Sequence, residues 1–369
     1  MTRRWRSLLL SSCLAATALA FALAMAEVGV RLLAPQPKAV LHHDPYGLAM
    51  HWPGLETYLP DFGHKASFNS AGMRDRDHEV EKPSGVFRIL LLGDSFMEAL
   101  QVPFEASFPS RLERALEQQM GRPVEVISAG VSGWGTDDEL RYLTQYGLKW
   151  RPDLVLVAMT LHNDISDNLQ EYWHTIHGDS LVEQPRPRKS FLGYKVVQLK
   201  TFLATRFQLY QLWRKVRHGR AMRDVGTQLR SHIVELFRNP TPADIARGFL
   251  LTDLLLSKIL RVAEANDSRV ALVLLPLRVQ LSDKAFTAFT DAAGVTTGDM
   301  DIDKPQSVLK HIAERLQIPV IDLLPRFRRW FATNEGTLYV EHDGHWNETG
   351  HQVAADSTAV AIIAAGIPR

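Results

Sequence analysis

The sequence predicts an α/β protein with a parallel β-sheet that is covered by helices on both faces. Two patterns predict this fold. Strand-like apolar runs alternate with amphipathic helical segments from residue 87 onward, and glycine, proline or small polar residues separate them. The 369 residues carry a formal net charge of +1 and are 46% hydrophobic, which describes a globular protein of one or two domains. Nucleic acid is not an expected partner.

The chain opens with a predicted transmembrane helix, which we assign to residues 1–33 together with a short cytoplasmic tip. Three arginines precede an uncharged stretch from Leu8 to Ala26, which has about the length that crosses a bilayer core. Basic residues before the stretch and Glu27 after it place the N-terminus in the cytoplasm and the remainder outside it. A cleaved signal peptide is the alternative, because Ala24-Met25-Ala26 has the form of a cleavage site. We favour retention of the helix, because the stretch is long for a signal peptide.

Residues 34–85, called the strap below, are predicted to be an irregular extracytoplasmic segment between the helix and the main domain. They are rich in proline, glycine, histidine and aromatic residues and show no sustained helical or strand period. The strap histidines lack a thiol or carboxylate cluster at ligand spacing, so no metal site is predicted there.

The first strand of the main domain, residues 86–369, is predicted from Phe87 to Leu92. A continuous apolar run that ends in Gly93, Asp94 and Ser95 suits an inner parallel strand whose carboxyl end opens towards a helix. Open α/β sheets bind their ligands at that end, and a serine there has its backbone N–H at the positive end of the helix. Ser95 is therefore a candidate nucleophile, with simple helix capping by Asp94 and Ser95 as the alternative.

Strands and helices alternate after Ser95. The predicted helices begin at Ser107, at a capping box of Thr136 and Glu139, at Thr241-Pro242, at Pro305 and after Asn347. The predicted strands are Val124–Ile127, Leu154–Met159, Val270–Leu275 and Ile318–Leu323. A glycine-rich loop at 128–135 follows the second strand. With the strand before Ser95, this pattern gives five parallel strands.

An acid and a histidine, Asp343 and His345, form the last motif. In an extended segment, residues two apart point the same way, so the Asp343 carboxylate can hold the His345 imidazole. Such a pair is the orienting half of a serine, histidine and acid triad. A metal site that also used His342 and His351 is disfavoured, because no helical His-Glu-x-x-His spacing is present. A polar loop that caps the last helix is the remaining alternative.

The first, second, third and fifth predicted strands are followed by Ser95, the glycine-rich loop, Asn163 and the pair Asp343 and His345, which are all expected at one edge of the sheet. These residues make the chain resemble the bacterial SGNH, or GDSL-like, hydrolase family, and the resemblance covers most of residues 85–366. The blocks that carry the resemblance are Gly93-Asp94-Ser95-Phe96, Ala129-Gly130-Val131-Ser132-Gly133, His162-Asn163-Asp164 and Asp343-Gly344-His345.

The resemblance implies a flavodoxin-like three-layer α/β/α sandwich with a parallel five-stranded sheet, the SGNH hydrolase fold. It implies that Ser95 attacks an ester carbonyl, that His345 is the base and that Asp343 orients His345. It also implies an oxyanion hole made by the backbone N–H groups of Ser95 and Gly133 and the side-chain amide of Asn163. Such chemistry needs no metal and no cofactor beyond an acyl donor.

Two features depart from the family pattern. His162 stands where the third block usually has glycine, so the loop must accommodate a bulky side chain beside the oxyanion hole. Only one residue separates Asp343 from His345, a spacing that also occurs in relatives similar to the O-acetyltransferases of exopolysaccharide assembly. Hydrolysis and acyl transfer therefore both stay open. Residues 130–133 are not the nucleophile elbow of other α/β hydrolases, since Trp134 occupies the place of its second glycine.

We predict a serine esterase anchored in a bacterial inner membrane by one helix, with its catalytic domain in the periplasm. Its substrates would be acyl esters of a glycan or another envelope component. One alternative is an O-acyltransferase that modifies an exopolysaccharide. A second is a non-catalytic glycan-binding or assembly protein on the same fold. The expected partners are the substrate, the membrane and the polysaccharide-assembly proteins of the envelope.

Residues 166–239, called the insertion below, separate the third strand from the long helix. From Arg188 to Arg223 the insertion is rich in basic and aromatic residues and has no Asp or Glu. This composition suits a helix that lies on an anionic membrane surface, whereas a segment packed against the domain is the alternative. Because the insertion begins just after Asn163, its start is expected beside the active site.

Overall fold

The computed structural model describes residues 3–36, 41–44, 47–161, 163–178, 180–184, 191–217, 233–295 and 297–367. The predicted effect of His162, and the parts of the basic segment at 188–190 and 218–223, lie outside these residues.

In chain order, the strands are β1 (Leu41–His43), β2 (Ala49–His51), β3 (Glu56–Leu59), β4 (His64–Ser67), β5 (Phe87–Gly93), β6 (Val124–Gly130), β7 (Leu154–Thr160), β8 (His174–His177), β9 (Ser180–Glu183), β10 (Arg269–Leu275) and β11 (Val320–Asp322). The α-helices are α1 (Arg3–Leu33), α2 (Ser95–Glu98), α3 (Phe108–Met120), α4 (Thr136–Gln145), α5 (Asp164–Asn168), α6 (Phe191–Arg206), α7 (Ala243–Glu264), α8 (Asp283–Ala292), α9 (Lys304–Arg315), α10 (Leu324–Thr333) and α11 (Glu348–Ala364).

The predicted parallel sheet of five strands is confirmed, with the spatial order β11-β10-β7-β5-β6. Every residue of β5 and β7 is buried, as expected for inner strands with helices on both faces. Alternate strand residues pack against α4, α7 and α9 on one face and against α3, α10 and α11 on the other. These three layers are the predicted sandwich.

Several element boundaries differ from the predictions. The capping box of Thr136 and Glu139 is wrong: α4 begins after Gly135, and the Glu139 side chain is fully buried. Helix α10 was not predicted, so the last motif does not directly follow β11. Three arginines interrupt the short apolar stripe of α10, which is formed by Leu324 and Phe327. The sequence of this helix therefore shows no clear helical period.

The strap is more ordered than its sequence predicts. Strands β1 and β2 form one antiparallel hairpin, and β3 and β4 form another. Strands of three or four residues are too short to show an alternating pattern, which explains why they were missed. The strap side chains of Leu48, Met50 and Met73 join the core of the main domain.

Helix α1 contains one segment, Leu10–Leu33, that is long and apolar enough to cross a membrane. The end of this helix contacts the insertion. The Glu27 carboxylate accepts the N–H groups of Gln208 and Leu209 at 2.9 and 2.8 Å, and the Arg31 guanidinium donates to the Arg206 carbonyl at 3.0 Å.

The packing of α3 on α11 contains a buried histidine. The Phe108 N–H donates to His351 Nδ1 at 3.1 Å, and His351 is only 1% exposed. Burial, and then the charges of Arg74 and Arg111, lower the pKa of His351 to about 3. The folded protein therefore holds this imidazole neutral over most of the acidic range.

We expect His351 to make the protein sensitive to acid. The unfolded chain protonates His351 near pH 6.5, whereas the folded chain protonates it only near pH 3. Protonation of His351 therefore leaves the free energy of unfolding unchanged above about pH 6.5 and lowers it as pH falls from there towards pH 3. The loss is up to about 1.4 kcal/mol per pH unit. Chemical denaturation across this range should show a steeper loss for wild type than for His351→Asn, which keeps an acceptor for Phe108. Parallel profiles would contradict the assignment.

Candidate active site

Ser95 is the first residue of α2, directly beyond the end of β5. The turn is tight because glycines stand at the ends of two strands. A Cβ at Gly93 would lie 2.4 Å from Met97 Cγ, and one at Gly130 would lie 2.7 Å from the Glu98 nitrogen. The Asp94 carboxylate caps the turn by accepting the Phe96 N–H at 2.9 Å. This arrangement places Ser95 at the carboxyl edge of the sheet.

The structure brings the predicted triad residues into one hydrogen-bonded line. Ser95 Oγ lies 2.7 Å from His345 Nε2, and His345 Nδ1 lies 2.5 Å from Asp343 Oδ1. The His345 ring packs against Phe96, with ring centroids 4.8 Å apart. The side chains of His345 and Asp343 are 24% and 28% exposed, so the line lies close to solvent.

A turn, rather than the predicted extended segment, joins Asp343 to His345. Gly344 adopts a left-handed conformation with φ of +88°, and the Val340 N–H donates to the His345 carbonyl at 2.8 Å. Asp343 Oδ1 also accepts the His345 N–H at 3.2 Å. The fully buried Trp346 anchors the next residue in the core. The turn therefore fixes both residues of the pair relative to the sheet.

The environment of Asp343 favours its ionised form. Burial alone would raise the pKa of Asp343, but hydrogen bonds from His345 and Gln101 and the charge of His345 together hold it below its usual value. An ionised Asp343 keeps the proton of the neutral imidazole on Nδ1, which leaves Nε2 free to accept a proton from Ser95.

Two of the three predicted oxyanion-hole donors have free N–H groups. Among the described residues, the backbone N–H groups of Ser95 and Gly133 have no acceptor. Gly133 is exposed and has a φ of +83°. The third donor, the Asn163 amide, donates through Nδ2 to Asp94 at 2.9 Å and more weakly to Asp167 at 3.4 Å. Asp94 thus links Asn163 to the turn that carries Ser95.

Sequence reasoning assigned Asp94 only a capping role and missed the acidic groups around it. Asp94 is 1% exposed, and burial raises its pKa against the hydrogen bonds from Asn163, Phe96 and Thr160. Burial also raises the pKa of Asp167 to about 6 and the pKa values of Glu139 and Asp164 well above their usual range. These groups are scattered in the sequence, so only the fold reveals that they are close.

The four residues of the alternative metal site do not assemble. His351 is turned inward to Phe108, whereas His345 is bonded to Ser95 and Asp343. Within the ranges that the structure describes, no group of three or more His, Cys, Asp or Glu side chains is arranged to hold a metal ion.

Replacing Asp343 by Asn should preserve the fold and lower the turnover of an acyl ester by about a thousand- to ten-thousandfold, because the imidazole is then held in the wrong tautomer. Steady-state kinetics on a soluble ester measure this loss. The neighbouring exposed carboxylate provides the control, and Glu341→Gln should retain most of the activity. The opposite ranking of these two variants would assign the orienting carboxylate to Glu341.

The chain is similar to known acylhydrolases. The model of the GDSL-like Lipase/Acylhydrolase family matches residues 91–353. A curated arylesterase of Vibrio mimicus is 40% identical over 72 residues, which are 20% of this chain and 36% of that protein. The chain thus spans about a third of the length of this relative.

Solved structures that are similar to this chain include an α/β hydrolase from the metagenome of Lake Arreo, Spain, and the acetyl xylan esterase AlAXEase. The first is 13% identical with a TM-score of 0.43, and the alignment covers 76% of this chain and 96% of that chain. The second is 16% identical with a TM-score of 0.41, and the alignment covers 74% and 99%.

Proposed function

The chain belongs to the GDSL-like lipase/acylhydrolase family, and from this premise we propose that it is a serine esterase with Ser95 as its nucleophile. The observation that carries the proposal is the hydrogen-bonded line from Ser95 Oγ through His345 to Asp343. A non-catalytic binding protein has no need for a serine hydroxyl bonded to an imidazole whose other nitrogen is held by a carboxylate.

In the proposed reaction, Ser95 Oγ attacks the acyl carbonyl while its proton passes to His345 Nε2, and Asp343 stabilises the imidazolium that forms. The N–H groups of Ser95 and Gly133 bind the negative oxygen of the tetrahedral intermediate, and the Asn163 amide joins them by giving up its weak 3.4 Å bond to Asp167 while keeping its bond to Asp94. Collapse of the intermediate breaks the ester bond, and His345 returns the proton to the departing alcohol. Water, activated by His345, then releases the acid from the acyl-enzyme.

We also propose that the substrate is an acyl ester of a glycan or another envelope component. The partial exposure of His345 and Asp343 supports this substrate, because a shallow site admits an ester carried on a large acceptor. Acyl transfer to a glycan hydroxyl in place of water is the second candidate, and the one-residue spacing between Asp343 and His345 favours it. Assays of an acyl ester with and without a glycan acceptor distinguish release of the acid from transfer.

A fluorophosphonate probe should label wild type and should not label Ser95→Ala, because only an activated serine attacks phosphorus. Ester turnover should disappear with the label. Ser132→Ala is the matched control for the label and should still be labelled, since the hydroxyl of Ser132 donates to Glu98 rather than to an imidazole. Intact-mass spectrometry measures the label. Label retained in Ser95→Ala and lost in Ser132→Ala would assign the nucleophile to Ser132.

We further propose that α1 is retained as a single-pass anchor and that the main domain lies in the periplasm. The contacts from Glu27 and Arg31 to the insertion support attachment of the domain beside the end of the span. The insertion exposes both apolar and basic side chains there. Leu199 and Phe202 of α6 are 57% and 54% exposed, and residues 208–217 form a further helical stretch that includes Arg214 and Lys215. This mixture suits the surface of an anionic bilayer.

The full chain should keep its N-terminal segment and sediment with membranes after washes at high salt and high pH, because an apolar helix of this length is not released by loss of charge. Deletion of residues 1–26 should release most of the protein, and the remaining binding should fall as salt is raised. Mass spectrometry of the N-terminus and membrane fractionation measure these outcomes. A mature protein that begins at Glu27 would show instead that the segment is a signal peptide.

A further inference from the structure

The buried carboxylate of Glu98 connects the strap to the loop that carries Gly133. Glu98 Oε1 lies 2.8 Å from Nε2 of His51, at the end of β2 in the strap. Glu98 Oε2 accepts the Ser132 N–H at 2.7 Å and also the Ser132 hydroxyl. The side chains of Glu98 and His51 are 0% and 1% exposed. One carboxylate thus binds the residue immediately before the proposed oxyanion donor.

Glu98 is charged despite its burial. Desolvation alone would raise the pKa of Glu98, but His51 and the two hydrogen bonds from Ser132 outweigh it and hold the pKa below its usual value. A buried charge restrains the groups that are paired with it, because a displacement leaves the charge unpaired. The His51 ring is fixed in turn by stacking on Phe68, with ring centroids 4.0 Å apart.

Other strap contacts hold the same elements. The buried Arg74 guanidinium donates to the carbonyls of Glu98 at 2.8 Å and Val102 at 2.6 Å, and it also donates to the Ala99 carbonyl. Trp134, which follows Gly133, donates its indole N–H to the Ala49 carbonyl at 2.8 Å. The strap therefore contacts both the end of α2 and the glycine-rich loop.

We propose that Glu98, held by His51, is a positioning residue for the oxyanion hole and that the strap is part of the active-site framework. This inference rests on the proposed esterase function. Gly133 is exposed and has a left-handed conformation. Glycine adopts left-handed and right-handed conformations with similar ease, so Gly133 does not fix its own conformation. The bonds from Ser132 to Glu98 hold this peptide in place. Since oxyanion stabilisation depends on donors that are already oriented, loss of the anchor lowers turnover rather than substrate binding.

The strap contains a matched control for a purely structural role. His78 Nε2 lies 3.1 Å from Asp75 Oδ2, and their side chains are 1% and 2% exposed. Asp75 Oδ2 also accepts the Ser128 N–H at 2.7 Å. This second pair also joins a histidine to a carboxylate, has similar burial and binds a serine N–H, but its serine lies inside β6, away from Gly133.

The test compares Glu98→Gln with Asp75→Asn in the full chain. Kinetics on a soluble acyl ester should show that Glu98→Gln lowers kcat by about ten- to a hundredfold with KM nearly unchanged. This loss is smaller than the hundred- to thousandfold loss typical of removing a donor, for which Asn163→Ala is the reference. Hydrogen exchange of the peptide that spans 130–135 should increase in Glu98→Gln and stay at the wild-type level in Asp75→Asn.

Equal kcat values and equal exchange in Glu98→Gln and wild type, with wild type active, would overturn the inference and leave the esterase proposal intact. Absence of turnover in wild type, with faster loop exchange in Glu98→Gln alone, would instead reject the esterase and keep the anchoring of the loop. If Glu98→Gln does not fold, Ser132→Ala replaces it. That variant loses one of the two bonds to Glu98 and should lose kcat severalfold with unchanged KM, whereas an unchanged kcat would count against the inference.

Discussion

The close approach of α2 to the ends of β5 and β6 is the constraint on which the site depends. It exists because Gly93 and Gly130 lack the Cβ atoms that would overlap Met97 and the backbone of Glu98. With the helix in this position, one turn of four residues directs Ser95 towards His345 and Glu98 towards Ser132. Asp94, which precedes this turn, reaches Asn163. The proposed nucleophile and the supports of two proposed oxyanion donors thus come from a single short segment.

Three carboxylates at this segment differ because their partners differ. Asp343 and Glu98 each face a histidine, and both have pKa values below the usual range. Asp94 is as buried as Glu98, whereas Asp343 is partly exposed; the hydrogen-bond partners of Asp94 are neutral amide and hydroxyl groups, and its pKa is raised. Burial penalises the charge of both buried carboxylates, so the identity of the partner decides the sign of the pKa shift between Glu98 and Asp94. The proposed functions follow this division, since the two carboxylates with lowered pKa values each hold an element that must not move.

Much of this arrangement could be predicted from the sequence, because its main signals are local. Apolar runs and helix caps determine the strand and helix alternation, and parallel strands bring Ser95 and His345 to one edge. The remaining features depend on contacts that no local pattern encodes. Glu139 is helical and acidic, and only the packing of α4 shows that its carboxyl is buried. His51 was one of five strap histidines without distinguishing neighbours, and its partner Glu98 lies 47 positions further along the chain.

The strap contacts also change where the working unit of this chain begins. By composition, a boundary just before β5 looks natural, because the preceding residues resemble a linker and the family match starts at residue 91. The side chains of His51, Arg74 and Met73 instead lie inside the same interior as the sheet. A chain shortened to the matched region would expose the face of α2 that these residues cover and would leave the Glu98 charge without its histidine. If this domain is inherited or transplanted as a module, the strap therefore has to accompany the sheet.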